Sequence, residues 1–117
     1  MNLTLEIDDK KVKFGKPKKV KGRAYLRYLE MKQYVDFNNP TPDELDELVQ
    51  MICDAYENKF TIDEFYDGCY IDPFSGEGFF GKITEFLYYI QGIDLKKVQK
   101  NMEDLLANEN EVEKKTP

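Results

Sequence analysis

The chain has 117 residues, a formal net charge of −6, 34% charged residues, eight Phe, eight Tyr and two Cys, and it contains neither His nor Trp. A chain of this length buries one core of modest extent, which predicts a single domain over residues 1–107 followed by a disordered polar tail, NENEVEKKTP, over 108–117. Without His the commonest general base and neutral metal ligand are missing, so Ser/His/Asp and Cys/His nucleophile pairs are excluded, and two thiols are too few for an all-Cys zinc site.

From the N-terminus, Leu3, Leu5 and Ile7 alternate with Asn2, Thr4 and Glu6. After Asp8 to Lys11 the alternation resumes at Val12 and Phe14, the pattern of a small β-hairpin. Two strands are unstable alone, so this hairpin must pack on helices or add to another sheet, and its unpaired edge is a candidate for self-association. A Lys-rich connection, KPKKVKGR, follows. Arg23 to about Phe37 then reads as a helix whose apolar residues, Tyr25, Leu26, Tyr28, Leu29, Met31, Tyr34 and Val35, cover a broad arc and predict a central position. Asn38, Asn39 and Pro40 break it.

Thr41 to Gly68 is the best-specified stretch. Thr41 and Glu44 have the spacing of a capping box, and Pro42 fits the first turn. Leu45, Leu48, Val49, Ile52, Cys53 and Tyr56 form one apolar stripe. Asn58 and Lys59 predict a stop. Thr61 and Glu64 then repeat the start signal, Phe65 and Tyr66 supply apolar contacts, and Gly68 is the expected terminator. CYIDPFSGEG predicts a loop with Ser75 capping the next helix, in which Phe79, Phe80, Ile83, Phe86, Leu87 and Ile90 share a face and Gly92 is the stop. A last helical pattern comprises Leu95, Val98, Met102, Leu105 and Leu106. The fold class is therefore mainly α within α+β: four to five helices behind an N-terminal hairpin.

Charge is divided along the chain. Residues 1–35 hold ten Lys or Arg against four acids, a net of +6, whereas residues 36–117 hold seven against nineteen, a net of −12. The candidate basic contact is Lys18, Lys19, Lys21 and Arg23; the competing reading is a solvated linker. No apolar window approaches a membrane span, and MNLTLEIDDKK turns charged too early for a signal peptide. These features predict a cytoplasmic protein with no membrane association and with Cys53 and Cys69 as reduced thiols. No cofactor or metal is predicted. Asp43, Glu44, Asp46 and Glu47 are the acids expected at a helix N-terminus. DGCYIDPFSGEG lacks the ligands and the central Gly of a calcium loop, and SGEG lacks the Lys-Ser/Thr ending of a P-loop.

Taken together, the hairpin LTLEIDDKKVKF, the helix RAYLRYLEMKQY, the segment LDELVQMICDAYENKFTIDEFYDG and the closing aromatic helix resemble the tail assembly chaperones of long-tailed phages (siphoviruses) of Gram-positive bacteria. The resemblance covers residues 3–107 and centres on AYENKFTIDEFYDG; CYIDPFSGEGFF departs from the more compact family pattern. It implies a non-enzymatic protein that coats the tape-measure protein before the tail tube polymerises, acts in the bacterial host cytoplasm and is absent from the mature virion. The tail tube protein is a further implied partner. It also implies a second, longer product made by a −1 frameshift near the end of the frame, where Lys114 and Lys115 are compatible with an A-rich slippery sequence.

Such a role needs exposed apolar surface on adaptable elements. The candidate partner-binding residues are Phe79, Phe80, Tyr88 and Tyr89 on the aromatic helix. The alternative reading is a small phage or prophage regulator that binds DNA or an acidic protein through KPKKVKGR. The acidic helix after Thr41 argues against nucleic acid, because duplex phosphate repels it. An enzyme supported only by carboxylates comes third.

Overall fold

A computed structural model describes residues 1–18, 20–72 and 78–93, together with Lys100, Met102 and Asp104. Strands β1 (Leu3–Ile7) and β2 (Lys10–Phe14) are followed by helices α1 (Gly22–Met31), α2 (Pro42–Ala55), α3 (Ile62–Gly68) and α4 (Phe79–Tyr89). This is a small α+β domain with a two-stranded antiparallel hairpin at its N-terminus. Of the last predicted helical pattern, Met102 is helical and exposed; Leu95, Val98, Leu105, Leu106 and the tail over 108–117 lie outside the described residues.

The hairpin forms because Asp8 and Asp9 accept the positive φ angles, 52° and 61°, that a two-residue type I′ turn demands. That turn fixes the register, pairing Leu3 with Phe14, Leu5 with Val12 and Ile7 with Lys10. Leu3 and Leu5 are completely buried. The outer edge of β1 is covered at Glu6 by α3. A Cβ on Gly68 would stand 2.6 Å from the Glu6 carbonyl oxygen and 3.0 Å from its nitrogen, so Gly68 is needed for this close approach. It ends α3 as expected, but the chain leaves in extended conformation at Cys69 (φ −112°) and not through a left-handed glycine cap.

α2 is the main support of the core. Thr41 Oγ1 accepts from the Glu44 amide (3.3 Å) while Glu44 Oε1 accepts from the Thr41 amide (2.9 Å), a complete capping box with Pro42 in the first turn. Its inner stripe of Leu48, Val49, Ile52 and Cys53 is buried, and Tyr56 continues it. Glu57 and Asn58 then take positive φ, 57° and 55°, and turn the chain back into Phe60. Thr61 and Glu64 repeat the box for α3. Aromatic rings run through the core in series: Phe14 meets Phe60 edge-on at 4.9 Å, Phe60 stacks near Phe65 at 6.1 Å, and Phe65 lies 5.7 Å from Phe79.

Two expectations are corrected. The helix expected over Arg23 to Phe37 ends at Met31, and the chain turns through Lys32 to Tyr34. Continued, it would carry Phe37 round to the side of Leu26; the turn instead stacks Phe37 on Tyr28 at 5.5 Å. Nor is α1 central: Tyr25, Leu26 and Leu29 are 44%, 50% and 39% exposed, and Met31 alone of its residues is buried. The helix lies on the outside of α2, tied to it by Arg27, whose Nη2 donates to Glu47 Oε2 at 2.9 Å.

Candidate partner-binding surfaces

α4 presents two unlike faces. At 100° per residue, Phe79, Lys82, Ile83 and Phe86 point inward and are buried, which leaves Phe80, Thr84 and Tyr88 as a stripe at i, i+4, i+8 on the solvent side. The four sequence-predicted contact residues therefore separate. Phe79 is 7% exposed and wedged against Phe65 and Tyr66, so its ring belongs to the core; Phe80 is 62% exposed and meets Phe79 edge-on at 5.4 Å. Tyr88 is exposed. Tyr89 is half-buried, with its hydroxyl donating to the Pro17 carbonyl at 3.3 Å.

Tyr70 and Ile71, not singled out in the sequence, are large exposed side chains ahead of α4, and the Tyr70 hydroxyl is hydrogen-bonded to Glu6 of β1. The Phe79 amide donates to the Tyr70 carbonyl at 2.8 Å, and Gly78, the N-cap of α4, lies so close to Asp72 that a Cβ there would stand 2.5 Å from its nitrogen. This holds the segment Tyr70 to Asp72 beside the helix start, with Ile71 exposed to solvent. Gly78 offers no side chain to cap α4; Ser75, the expected cap, lies outside the described residues. The signal available in sequence was the run of large apolar residues just ahead of a helix.

Lys82 and Glu85 escaped sequence reading because a Lys and a Glu three residues apart normally mark a solvated helix face. Here Lys82 is buried, and its Nζ donates to the Asn2 carbonyl at 2.8 Å and to Glu85 Oε2 at 3.3 Å. The pair pins the start of β1 to α4, and the Tyr56 hydroxyl donates to the neighbouring Met1 carbonyl at 3.4 Å. It is an anchor for the chain end.

A cleft of about 750 Å³ lies between α1 and α2. Val20, Ala24, Leu26 and Met51 give it apolar walls; Arg27, bridged to Glu30 at 3.3 Å and Glu47 at 2.9 Å, crosses it, and Lys21, Arg23, Asp54 and Glu57 edge it. Of the predicted basic contacts, Lys18, Lys21 and Arg23 are exposed, and Lys19 lies outside the described residues. Among the described residues neither Lys21 nor Arg23 has an acidic partner within 4 Å. Because Asp54 and Glu57 border the same cleft, its edge carries both signs of charge among the described residues.

The thiols are placed for packing. Burial, with Asp54 next to it, pushes Cys53 up to about 11 from its ordinary 9.0. Burial also raises Cys69, against the opposing charge of Lys82. A thiol that keeps its proton is a poor nucleophile and a poor metal ligand. Among the described residues there is no group of three or more His, Cys, Asp or Glu that could hold a metal, and no described helix is long and apolar enough to cross a membrane.

The surface therefore offers apolar stripes on a small charged domain and no assembled catalytic group among the described residues. Compared with known protein families, residues 1–116 match the model described as phage tail chaperone protein. The chain belongs to the phage tail chaperone family. No curated protein and no solved structure matches it. A tail chaperone works through protein partners in tail assembly, and the separation of core from exposed apolar side chains on α4 is the feature of this member that bears on how it meets them.

Proposed function

We propose that this tail chaperone binds the tape-measure protein and keeps it soluble until the tail tube polymerises around it. The observation that carries the reading is the exposed Phe80, Thr84 and Tyr88 stripe of α4, on a chain whose family is that of tail chaperones. A long helical client exposes apolar side chains at i, i+3, i+4 spacing, and a stripe of large rings on a rigid helix is complementary to such a surface. The formal charge of −6 keeps a coated complex soluble through mutual repulsion of its copies. The setting is a long-tailed phage of a Gram-positive host. The protein acts in the host cytoplasm, is absent from the finished virion, has the tail tube protein as a further partner, and is also made in a longer frameshifted form.

Co-expression with the tape-measure protein tests this directly. The wild-type chain should keep the client in the soluble fraction and co-purify with it. Phe80→Asp combined with Tyr88→Asp should lose both effects while leaving the fold intact, since both side chains are exposed. Equal client solubility with and without the wild-type chain would overturn the proposal.

A further inference from the structure

The two edges of the hairpin are unlike. α3 lies against the outer side of β1, close enough at Glu6 to exclude a side chain on Gly68, whereas β2 has no comparable neighbour besides β1 among the described elements. The two-residue turn makes Ile7 and Lys10 a hydrogen-bonded pair, and alternation does the same for Leu5 with Val12 and for Leu3 with Phe14. The backbone N–H and C=O groups of Lys11 and Lys13 therefore point away from β1, and no other described backbone group pairs with them.

Side chains along this edge alternate. Lys11 and Lys13 are exposed on the outer face, and neither has an acid within 4 Å among the described residues. Val12, between them, turns to the face of Leu3 and Leu5 and is only half-buried. Lysines on an open edge repel basic strands and discourage indiscriminate pairing. The strand that fits them has an acid, an apolar residue and an acid in succession. Each acid then lies opposite a lysine, and the apolar residue extends the cover of Val12.

The chain contains that triplet. Glu111, Val112 and Glu113 match Lys11, Val12 and Lys13 one for one, in a stretch, 109–113, that lies outside the described residues. Antiparallel pairing sets Glu113 by Lys11 and Glu111 by Lys13; both triplets are symmetrical, so reversing the strand only exchanges the two acids. α4 returns the chain to this end of the molecule, since the Tyr89 hydroxyl donates to the carbonyl of Pro17, three residues past Phe14. Eighteen residues then separate Ile93 from Glu111, and they span about 27 Å even at the rise of a helix.

We infer that the open edge of β2 is the docking site of the chain's own residues 109–113, held by two cross-strand ion pairs with Lys11 and Lys13 and by contact of Val112 with Val12. Docked there, the segment closes the edge that a foreign strand would otherwise use. This site is separate from the α4 stripe and does not depend on which client that stripe meets.

Amide exchange at Lys11 and Lys13, followed by NMR on the full-length chain at two concentrations, tests the docking. In the wild type both amides should be protected, and to the same degree at each concentration. E111K/E113K and K11E/K13E should each lower both protection factors by about tenfold, because two exposed attractions become two repulsions. The quadruple variant K11E/K13E/E111K/E113K should restore them with the signs reversed, and circular dichroism checks that every variant keeps its fold. Wild-type protection no greater than that of E111K/E113K, or a quadruple variant no better than the doubles, would overturn the inference. So would protection that grows with concentration, which would make the tail of a second copy the occupant.

Discussion

α1 and α2 sit side by side and are built on opposite terms. α2 has a complete cap, Pro42 in its first turn, acids at its positive pole and a buried stripe of Leu48, Val49, Ile52 and Cys53. α1 has none of these, and of its ten residues only Met31 is buried. The contrast separates an element that holds the fold from one that the fold holds out. A helix in a small domain has a limited apolar complement, and where that complement faces water it serves recognition more than stability.

The contrast can be broken most forcefully in the core. Ile52→Ala removes a fully buried side chain from α2 and should cost about 2–5 kcal/mol, whereas Leu26→Ala on α1, under conditions where the chain is monomeric, should stay within about 0.5 kcal/mol. Urea denaturation of both variants checks this, and equal losses would erase the distinction. Alkali should act on the α2 side as well. Folding raises Cys53 from 9.0 to about 11, so between those values the folded chain retains a proton that the unfolded chain has released. The stability this confers is intact below pH 9.0 and is lost as pH climbs towards about 11. In a pH series of thermal unfolding, Cys53→Ala should flatten the part of the fall that this thiol causes.

Smaller effects should come from the caps, and they should differ in sign. Thr41→Ala removes the acceptor for the Glu44 amide and should cost about 1 kcal/mol. Lys21→Asp supplies an acceptor where α1 has none, at a residue already in extended conformation (φ −79°, ψ 153°), and should stabilise by about 0.5–1 kcal/mol. Chemical denaturation resolves both. A destabilising Lys21→Asp would mean that α1 depends on the lysine in a way its local geometry does not show.

Much of this arrangement was legible in the residues. The two Thr-x-x-Glu boxes, the period of the α2 stripe and the alternation around Asp8 and Asp9 are local signals whose physics is contained within a few residues, and each was met by the structure. What escaped depends on partners far along the chain. Phe79 and Phe80 are chemically the same, and which ring enters the core is decided by the phase of α4 against Phe65 and Tyr66. Lys82 is buried because Asn2 and Glu85 supply its acceptors. Gly68 looked like a helix terminator, whereas the close approach of Glu6 is what excludes a side chain. The apolar arc of α1 was read as a sign of burial, since apolar periodicity reports that a face wants cover and not whether the same chain provides it.

Amide hydrogen exchange, followed across α1 and α2 at a dilute and at a concentrated setting, tests the division of roles most directly. The α2 amides should be protected to the same high degree at both concentrations, and the α1 amides should exchange quickly in the dilute sample, since Met31 alone of its residues is buried. An α1 as well protected as α2 in the dilute sample would contradict the division, because the fold alone would then be sufficient to hold both helices.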